Sequence, residues 1–321
     1  MSARIFIDGE AGTTGLQIRQ RLSGRRDLTF LSLGETERKD PARRAEMLNA
    51  ADLVLLCLPD EAAREAVALI ENPEVRVIDA SSAHRTTPGW TYGFAEMAPG
   101  QAEEIARAKR VTNPGCYPTG AIALVRPLID AGLLPADAPV TVNAVSGYSG
   151  GGRKLIERHE NTAAPDHIAA PYHVYGLGLE HKHIEEMRVH TGLTHRPLFV
   201  PSVGRFAQGM VTQVPLQLWS LPGKPSPDAL RDCLRAAYAD QPFVTLVEPE
   251  EAASIERLEP EVLNGTNQMR LHVFANKAAD QVLLAAVYDN LGKGASGAAV
   301  QNLNLMLGLT AETGLDDRRV A

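Results

Sequence analysis

Cys116 is the residue of this chain best suited to covalent chemistry. It stands in the run Asn113–Gly120, where Pro114 and Gly115 predict a turn after a strand and Pro118 is typical of the first turn of a helix. Cys116 is therefore predicted at or just before a helix N-terminus, where the partial positive charge stabilises a thiolate and lowers the thiol pKa. We interpret Cys116 as a nucleophile rather than as a small buried residue.

The other two cysteines fit the buried interpretation, since Cys57 lies inside an apolar run and Cys233 stands in a helical pattern. A thiolate enzyme also needs an acid or base within reach. His181 and His183 flank Lys182 ahead of a predicted helix from about residue 184, and alternating residues of an extended segment share a face. Both histidines are predicted catalytic residues, and the sequence leaves open which of them transfers the proton.

Two segments offer groups for an anionic substrate. Residues 81–85 follow a predicted strand, at the edge of a parallel sheet where ligands bind, and the guanidinium of Arg85 can hold a phosphate through two hydrogen bonds. Residues 146–153 are rich in glycine, and we interpret them as a flexible loop that closes over a substrate; a plain hairpin turn is the alternative. The predicted substrate-binding residues are Ser81, Arg85, Asn113, Tyr148 and Arg153.

A glycine-rich turn, Gly9 to Gly15, follows the first predicted strand and opens a helix. Glycines let the backbone approach a pyrophosphate, and the helix N-terminus directs N–H groups at it. The choice between NAD and NADP stays open, because Glu35 suits a ribose hydroxyl whereas Ser32, Arg38 and Lys39 suit a 2′-phosphate. The predicted cofactor-binding residues are Gly9, Gly12, Thr13, Thr14, Gly15, Ser32, Arg38, Lys293, Gly294 and Gly297.

The segments that must position these residues alternate between strand and helix over the first third of the chain. The predicted strands are residues 4–8, 28–33, 52–58, 75–79 and 110–112, and the predicted helices are residues 14–22, 61–70 and 101–108. This alternation predicts an α/β fold with a Rossmann-type doubly wound parallel sheet.

Strands dominate after about residue 134. They are predicted at residues 140–145, 197–201, 210–219, 243–247, 269–275 and 281–289. A helix at 226–239 can be capped by Ser226 or Asp228, and a last helix at about 295–307 precedes Gly308. The second half is therefore predicted as an α+β domain with a mostly antiparallel sheet.

Composition narrows the class of function. The chain has 321 residues and a formal net charge of -7, which argues against non-specific nucleic-acid binding. Three distant cysteines without a CxxC pair argue against a disulfide framework and favour a cytoplasmic protein. We expect no signal peptide, no membrane-spanning segment and no metal site.

Five stretches resemble the N-acetyl-gamma-glutamyl-phosphate reductase family, in its shorter branch. They cover its cofactor turn, nucleophile segment, glycine loop, histidine segment and C-terminal signature, with Glu185 in place of the family's usual proline. The stretches are residues 9–15, 113–119, 146–153, 181–186 and 289–302. The last is the most specific. Residues 79–85 also resemble aspartate-semialdehyde dehydrogenases, which share the chemistry.

The resemblance implies NADPH-dependent reduction of N-acetyl-glutamyl 5-phosphate through a cysteine thioester, in arginine biosynthesis. It implies a dinucleotide-binding domain at 1–115, completed by a C-terminal helix at 290–321, and a catalytic and oligomerisation domain at 116–289. It also implies a homo-oligomer, either a dimer or a tetramer, and one of His181 and His183 as acid or base. The alternatives are a reductase of another acyl phosphate and, in a different class, a dinucleotide-sensing protein without turnover.

Overall fold

The computed structural model describes residues 2–315 and divides them into two compact units. The first contains residues 2–95, Gly100–Pro114 and residues 295–315. The second contains Glu96–Pro99 and Gly115–Gly294.

The predicted strands and helices all form, in the predicted order, and further elements lie between them. The strands are β1 (Ala3–Asp8), β2 (Leu28–Leu31), β3 (Leu53–Leu56), β4 (Arg76–Asp79), β5 (Thr91–Tyr92), β6 (Arg110–Thr112), β7 (Thr141–Gly147), β8 (Tyr172–Val174), β9 (Leu198–Gly204), β10 (Met210–Gln217), β11 (Val244–Leu246), β12 (Met269–Ala275) and β13 (Gln281–Tyr288). The helices are α1 (Thr13–Leu22), α2 (Pro41–Ala50), α3 (Asp60–Ala68), α4 (Gln101–Arg107), α5 (Cys116–Asp130), α6 (Gly152–Glu160), α7 (Lys182–Thr191), α8 (Pro227–Tyr238), α9 (Pro249–Ser254) and α10 (Gly297–Met306).

The first unit is a parallel six-stranded sheet in the order β2-β1-β3-β4-β6-β5. Its central strand β3 is buried along its whole length, as expected of a parallel strand covered on both faces. Helices α2 and α3 pack together, and α10 packs against α1 and α4. The doubly wound parallel prediction is confirmed. Strand β2 lies on one side of β1 and β3 on the other. The direction in which successive strands are added to the sheet therefore reverses at β1.

The second unit is a seven-stranded sheet in the order β11-β12-β13-β10-β7-β9-β8. Four of its six strand pairs are antiparallel, which confirms the mostly antiparallel prediction. Helix α5 packs on β10 and β13 and against α7 and α8.

Helix α5 contains a proline in its interior, Pro127. A proline has no N–H, so the carbonyl of Ala123, four residues earlier, loses its helical donor. The Tyr238 hydroxyl donates to that carbonyl instead, at 2.9 Å. One side chain from α8 thus satisfies the group that the proline leaves unpaired.

The structure adds three helices, α2, α6 and α9, and two strands, β5 and β8, that the sequence analysis did not predict. It also settles one helix cap. Helix α2 begins at Pro41 behind Asp40, whose carboxylate accepts from the N–H groups of Ala42 and Arg43. Ser226, rather than Asp228, caps α8 through the N–H of Ala229. An N-cap of this kind contributes about 1 kcal/mol.

The prediction of a flexible glycine loop at residues 146–153 was wrong. The segment contains the end of β7, a 3-10 turn over Tyr148–Gly151 and the start of α6. A Cβ on Gly147 would lie 2.5 Å from the Ala207 carbonyl oxygen, and one on Gly151 would lie 2.4 Å from Leu155. These glycines permit close packing.

The C-terminal segment differs in detail from the predicted helix at 290–321. Gly292–Ser296 forms a π-helical turn, and α10 begins only at Gly297. Residues up to Gly294 group with the second unit, and residues 316–321 of the predicted segment lie outside the described residues. No helix among residues 2–315 combines the length and the apolar character needed to cross a membrane.

Candidate active site and cofactor site

Cys116 is the first residue of α5, as its sequence context predicts. Gly115 is the N-cap, with extended backbone angles and no capping side chain of its own. The buried carboxylate of Glu186, on α7, accepts the Gly115 N–H at 2.7 Å. A carboxylate at a helix N-terminus is favourable in charge, and this bond anchors the backbone immediately before the sulfur.

The two histidines lie at the start of α7, which begins at Lys182, two residues before the predicted helix. His181 is the N-cap, and its Nδ1 accepts the His183 N–H at 3.1 Å. The two rings are 4.6 Å apart, and both lie near the ring of Tyr117, at 6.4 Å for His181 and 5.9 Å for His183. The structure therefore brings both histidines beside the residue that follows the predicted nucleophile.

The capping bond distinguishes the histidines chemically. An Nδ1 that accepts a backbone N–H needs its lone pair, so a neutral His181 carries its proton on Nε2, and full protonation would break the cap. His183 is buried, and its own backbone N–H is the group that His181 holds. The His181 ring is thus engaged at the start of the helix, whereas the ring of His183 forms no part of this cap.

Two tyrosines border this site. The Tyr117 hydroxyl donates to the Ser202 carbonyl at 3.0 Å. Burial raises the pKa of Tyr175 to about 12, with the negative charge of Cys116 adding to the increase. Burial first, then the charge of Tyr175 and that of Cys116, raise the pKa of Tyr117. Both hydroxyls are thus neutral at physiological pH.

Gly294 packs directly against the side chain of Cys116. A Cβ on this glycine would lie 2.9 Å from the Cys116 Cβ, so only glycine fits without displacing the nucleophile. The Gly294 N–H donates to the Asp289 carbonyl at 3.0 Å. The predicted cofactor residue Gly294 is thus a neighbour of the cysteine.

Lys293, also predicted to bind the cofactor, requires a correction. Its ammonium lies 2.7 Å from each carboxylate oxygen of Glu96, and the two side chains are 1% and 0% exposed. Burial lowers the lysine pKa, and the Glu96 charge opposes that effect. Removing one partner of such a buried pair costs about 3–5 kcal/mol. The ammonium is therefore part of the core and holds the π-helical turn.

The predicted substrate residues Tyr148 and Arg153 lie around α6. The Tyr148 hydroxyl donates to Glu160 at 3.0 Å, and its ring stacks on the buried ring of His159 at 4.8 Å. Arg153 is exposed near the start of α6. Tyr148 is thus tied to α6 at both its ring and its hydroxyl.

In the first unit, Ser81, Arg85 and Asn113 lie beyond the carboxyl ends of β4 and β6. The Ser81 hydroxyl donates to Asp79 at 2.7 Å, and Arg85 donates from Nε to the Asn113 carbonyl at 3.1 Å. The Asn113 amide donates to the Ala295 carbonyl at 2.9 Å and accepts from Asn302. These groups fix the segment that leads into the Pro-Gly turn.

The glycine turn after β1 has the close approaches that its pattern predicts. Gly9 has φ +90°, and a Cβ there would lie 2.3 Å from the Cys57 carbonyl oxygen. A Cβ on Gly15 would lie 2.5 Å from the Gly9 carbonyl oxygen. Gly12 is exposed and is the N-cap of α1 without a side-chain cap among the described residues. The N–H groups of Thr13 and Thr14 therefore stand at a helix N-terminus suited to a phosphate.

A cavity of about 290 Å³ opens beside this turn, at the carboxyl ends of β1, β2 and β3. Its lining includes two acidic and three basic side chains: Asp8, Glu10, Arg38, Lys39 and Arg44. Asp8 is paired with Arg44 at 2.8 Å and Glu10 with Arg19 at 3.0 Å.

Arg38 and Lys39 are exposed, and neither forms an ion pair within residues 2–315. The charged side chains of the cavity that remain available to a ligand are therefore positive. Ser32 and Glu35 are exposed on the loop after β2 and do not line the cavity. Gly297, the remaining predicted cofactor residue, is buried as the first residue of α10.

Comparison with known proteins identifies the family. The model of the semialdehyde dehydrogenase dimerisation domain matches residues 116–290, and that of the semialdehyde dehydrogenase NAD-binding domain matches residues 16–106. The N-acetyl-gamma-glutamyl-phosphate reductase of Burkholderia cenocepacia is 60% identical over 96% of this chain and 98% of its own. The chain belongs to the N-acetyl-gamma-glutamyl-phosphate reductase family.

Other members of that family are similarly close. The N-acetyl-gamma-glutamyl-phosphate reductase 2 of Pseudomonas putida is 59% identical over 95% of this chain and 96% of its own, and the Brucella ovis reductase is 57% identical over 96% and 100%. The family is one of oxidoreductases, so the expectation of an enzyme is confirmed.

Solved structures of another semialdehyde dehydrogenase share the fold. Aspartate semialdehyde dehydrogenase II of Vibrio cholerae, complexed with ASA, superposes with a TM-score of 0.69 at 15% identity, over 96% of this chain and 99% of its own. The enzyme of Candida albicans with NADP gives 0.63 at 13% identity, over 98% and 100%.

Two residues of this reductase-family site escaped the sequence analysis. Glu186 lies one helical turn after His183. If the predicted helix had begun at Lys182, the i, i+3 spacing would have placed both residues on one face of it. Arg44 lies on α2, one of the helices that were not predicted, and only the fold brings it to Asp8.

Proposed function

We propose that this chain reduces N-acetyl-L-glutamyl 5-phosphate to N-acetyl-L-glutamate 5-semialdehyde and phosphate with NADPH, a step of arginine biosynthesis. The observation that carries the proposal is Cys116 at the first residue of α5, beside two histidines and anchored through Gly115. The relatives near 60% identity, which are named for this substrate, favour it over aspartyl phosphate.

The proposed reaction uses Cys116 twice. Its thiolate attacks the acyl carbon, the carbon–oxygen bond to phosphate breaks, and a thioester remains on the sulfur. NADPH, when bound, supplies the hydride that reduces this thioester. His183 protonates the oxyanion that forms at the acyl carbon, then removes that proton as the carbonyl re-forms and the thiolate leaves. Arg85 is proposed to help hold the phosphate.

NADPH suits the cavity beside the glycine turn. The glycines and the N-terminus of α1 suit the pyrophosphate. Arg38 and Lys39 suit the 2′-phosphate, because the acids Asp8 and Glu10 are already neutralised by arginines.

The reverse reaction tests the function. We expect N-acetyl-glutamate semialdehyde to drive NADP reduction only when inorganic phosphate is present, and aspartate semialdehyde to be turned over far more slowly. Preference for aspartate semialdehyde would support the alternative function, that of an aspartate-semialdehyde dehydrogenase. Cofactor binding without turnover of either aldehyde would support a dinucleotide-sensing protein.

The same assay, run in the biosynthetic direction, tests the cofactor. We expect Arg38→Ala to raise the KM for NADPH about tenfold, the value of one charge-assisted hydrogen bond, and to leave the KM for NADH unchanged. Arg26→Ala, an exposed arginine outside the cavity, is the matched control. Equal effects on both cofactors would remove Arg38 from the 2′-phosphate site.

We further propose a cytoplasmic homo-oligomer. The exposed apolar side chains Tyr172, Val174, Leu177 and Leu179 follow one another along the edge strand β8 and the turn after it, within the residues that match the dimerisation domain. Such a patch favours a protein partner. We expect light scattering to give a dimer or tetramer; the 34.6 kDa of one chain would contradict this.

A further inference from the structure

The hydroxyl of Tyr288 enters the first turn of α5, directly beneath Cys116. It donates to the Cys116 carbonyl at 2.7 Å and accepts the Gly120 N–H at 3.1 Å. These are the two groups, four residues apart, that an α-helix joins to each other. A side chain inserted at such a bond is a recognised cause of local helix distortion.

A single glycine, Gly120, leaves the space that this hydroxyl occupies. A Cβ on Gly120 would lie 2.5 Å from the Tyr288 hydroxyl oxygen and 2.8 Å from the Thr212 hydroxyl oxygen. Any other residue at position 120 would displace one of them. Gly120 is therefore explained by the approach of Tyr288 to the helix backbone.

Tyr288 is itself held rigidly. It is the last residue of β13, is fully buried, and its hydroxyl is 2.9 Å from the Thr212 hydroxyl on the adjacent strand β10. Burial, with the negative charge of Cys116 adding to it, keeps the Tyr288 pKa far above its usual value. The group is thus a neutral hydroxyl throughout the working pH range.

Cys116 is consequently held from three directions within the second unit. Glu186 holds the N–H of the preceding residue, Gly294 packs against the Cβ, and Tyr288 holds the carbonyl. The first two fix where the residue lies. The third fixes how the first turn is oriented, and with it the direction in which the Cα–Cβ bond presents the sulfur.

We propose that Tyr288 is a positioning residue for the Cys116 thiol. It touches neither substrate nor cofactor in this role; it sets the geometry of the helix turn that carries the sulfur. The proposal rests on the proposed function, in which Cys116 is the nucleophile, for its consequence in catalysis. Its structural part, control of the thiol by Tyr288, can be measured without turnover.

The test compares Tyr288→Phe with Tyr238→Phe. Both tyrosines are fully buried or nearly so, and both donate to a carbonyl of α5, but Tyr238 bonds Ala123, seven residues beyond the cysteine. The measurements are kcat, KM, Tm, and the rate of iodoacetamide modification of Cys116 against pH, followed by mass spectrometry of its peptide.

We expect similar decreases in Tm for the two variants and different effects on the thiol. Tyr288→Phe should lower kcat about 10- to 100-fold with little change in KM, because misplacement of a reacting atom by about 1 Å can cost about 10²-fold. It should also shift the pH midpoint of Cys116 modification. Tyr238→Phe should leave kcat and the midpoint at wild-type values. Equal thiol reactivity and equal kcat in both variants would overturn the proposal.

A second variant covers the case in which Tyr288→Phe does not fold. Thr212→Val keeps the Tyr288 hydroxyl and removes the partner that orients it, so a smaller change in the same direction is expected. An unchanged modification profile in this variant would contradict the positioning role. If Cys116→Ser retained activity, the proposed function would fail, while the modification profiles would still decide whether Tyr288 controls the thiol.

Discussion

The Cys116→Ser variant is expected to fold, to bind NADPH and to lose turnover by about 10³-fold or more. A serine hydroxyl at this site has no comparable anion at neutral pH, so the attack on the acyl carbon fails. Cys233→Ser is the matched control, because Cys233 is a helical thiol that donates to the Pro127 carbonyl at 3.3 Å and has no place in the proposed reaction. The control should keep wild-type kcat.

The three thiols should also differ in reactivity. Burial raises the pKa of Cys57 to about 12, with the Asp79 and Asp8 carboxylates adding to the increase, and burial also raises that of Cys233. A raised thiol pKa leaves little thiolate at pH 7, so iodoacetamide should modify Cys116 first, with activity lost in step. Modification of Cys57 or Cys233 with full loss of activity, while Cys116 stays intact, would count against this account.

The second large effect is expected at His183. Asparagine cannot transfer a proton at neutral pH, so His183→Asn should lower kcat by roughly 10²–10⁴-fold and remove one limb of the pH profile. His181→Asn is the matched variant, since asparagine is a good N-cap and can still accept the His183 N–H. We expect it to keep most of kcat.

Kinetics of both variants across pH decide the assignment. The reverse ranking, with His181→Asn the slower enzyme, would transfer the acid/base role to His181. Near-full kcat in both variants would exclude the histidine segment from proton transfer.

The sheet of the first unit and the place of Cys116 could be predicted because local sequence determines them. Continuous apolar runs such as Leu53–Leu56 indicate buried parallel strands. The Pro-Gly turn before Cys116 and Pro118 after it fix where α5 begins. The glycine turn likewise has the backbone geometry that its spacing implies.

What the sequence could not supply are contacts between distant segments. A lysine in a glycine-rich stretch predicts an exposed side chain that binds an anion. Lys293 instead forms a buried ion pair with Glu96, which lies 197 residues away. Gly147 likewise suggests a flexible loop, yet a Cβ there would lie 2.5 Å from the carbonyl oxygen of the distant Ala207. The sequence around Tyr288 predicts only a strand residue. Its role was missed because only the fold brings its hydroxyl to the Cys116 carbonyl.

The most direct test of the central claim is to trap the acyl-enzyme. Enzyme mixed with N-acetyl-glutamyl 5-phosphate in the absence of NADPH, quenched in acid and digested, should carry the N-acetyl-glutamyl group on the peptide that contains Cys116. The adduct should be absent from Cys116→Ser and should disappear from the wild-type enzyme when NADPH is added. Turnover of the wild-type enzyme without a detectable adduct on Cys116, or an adduct on another residue, would contradict a mechanism through a Cys116 thioester.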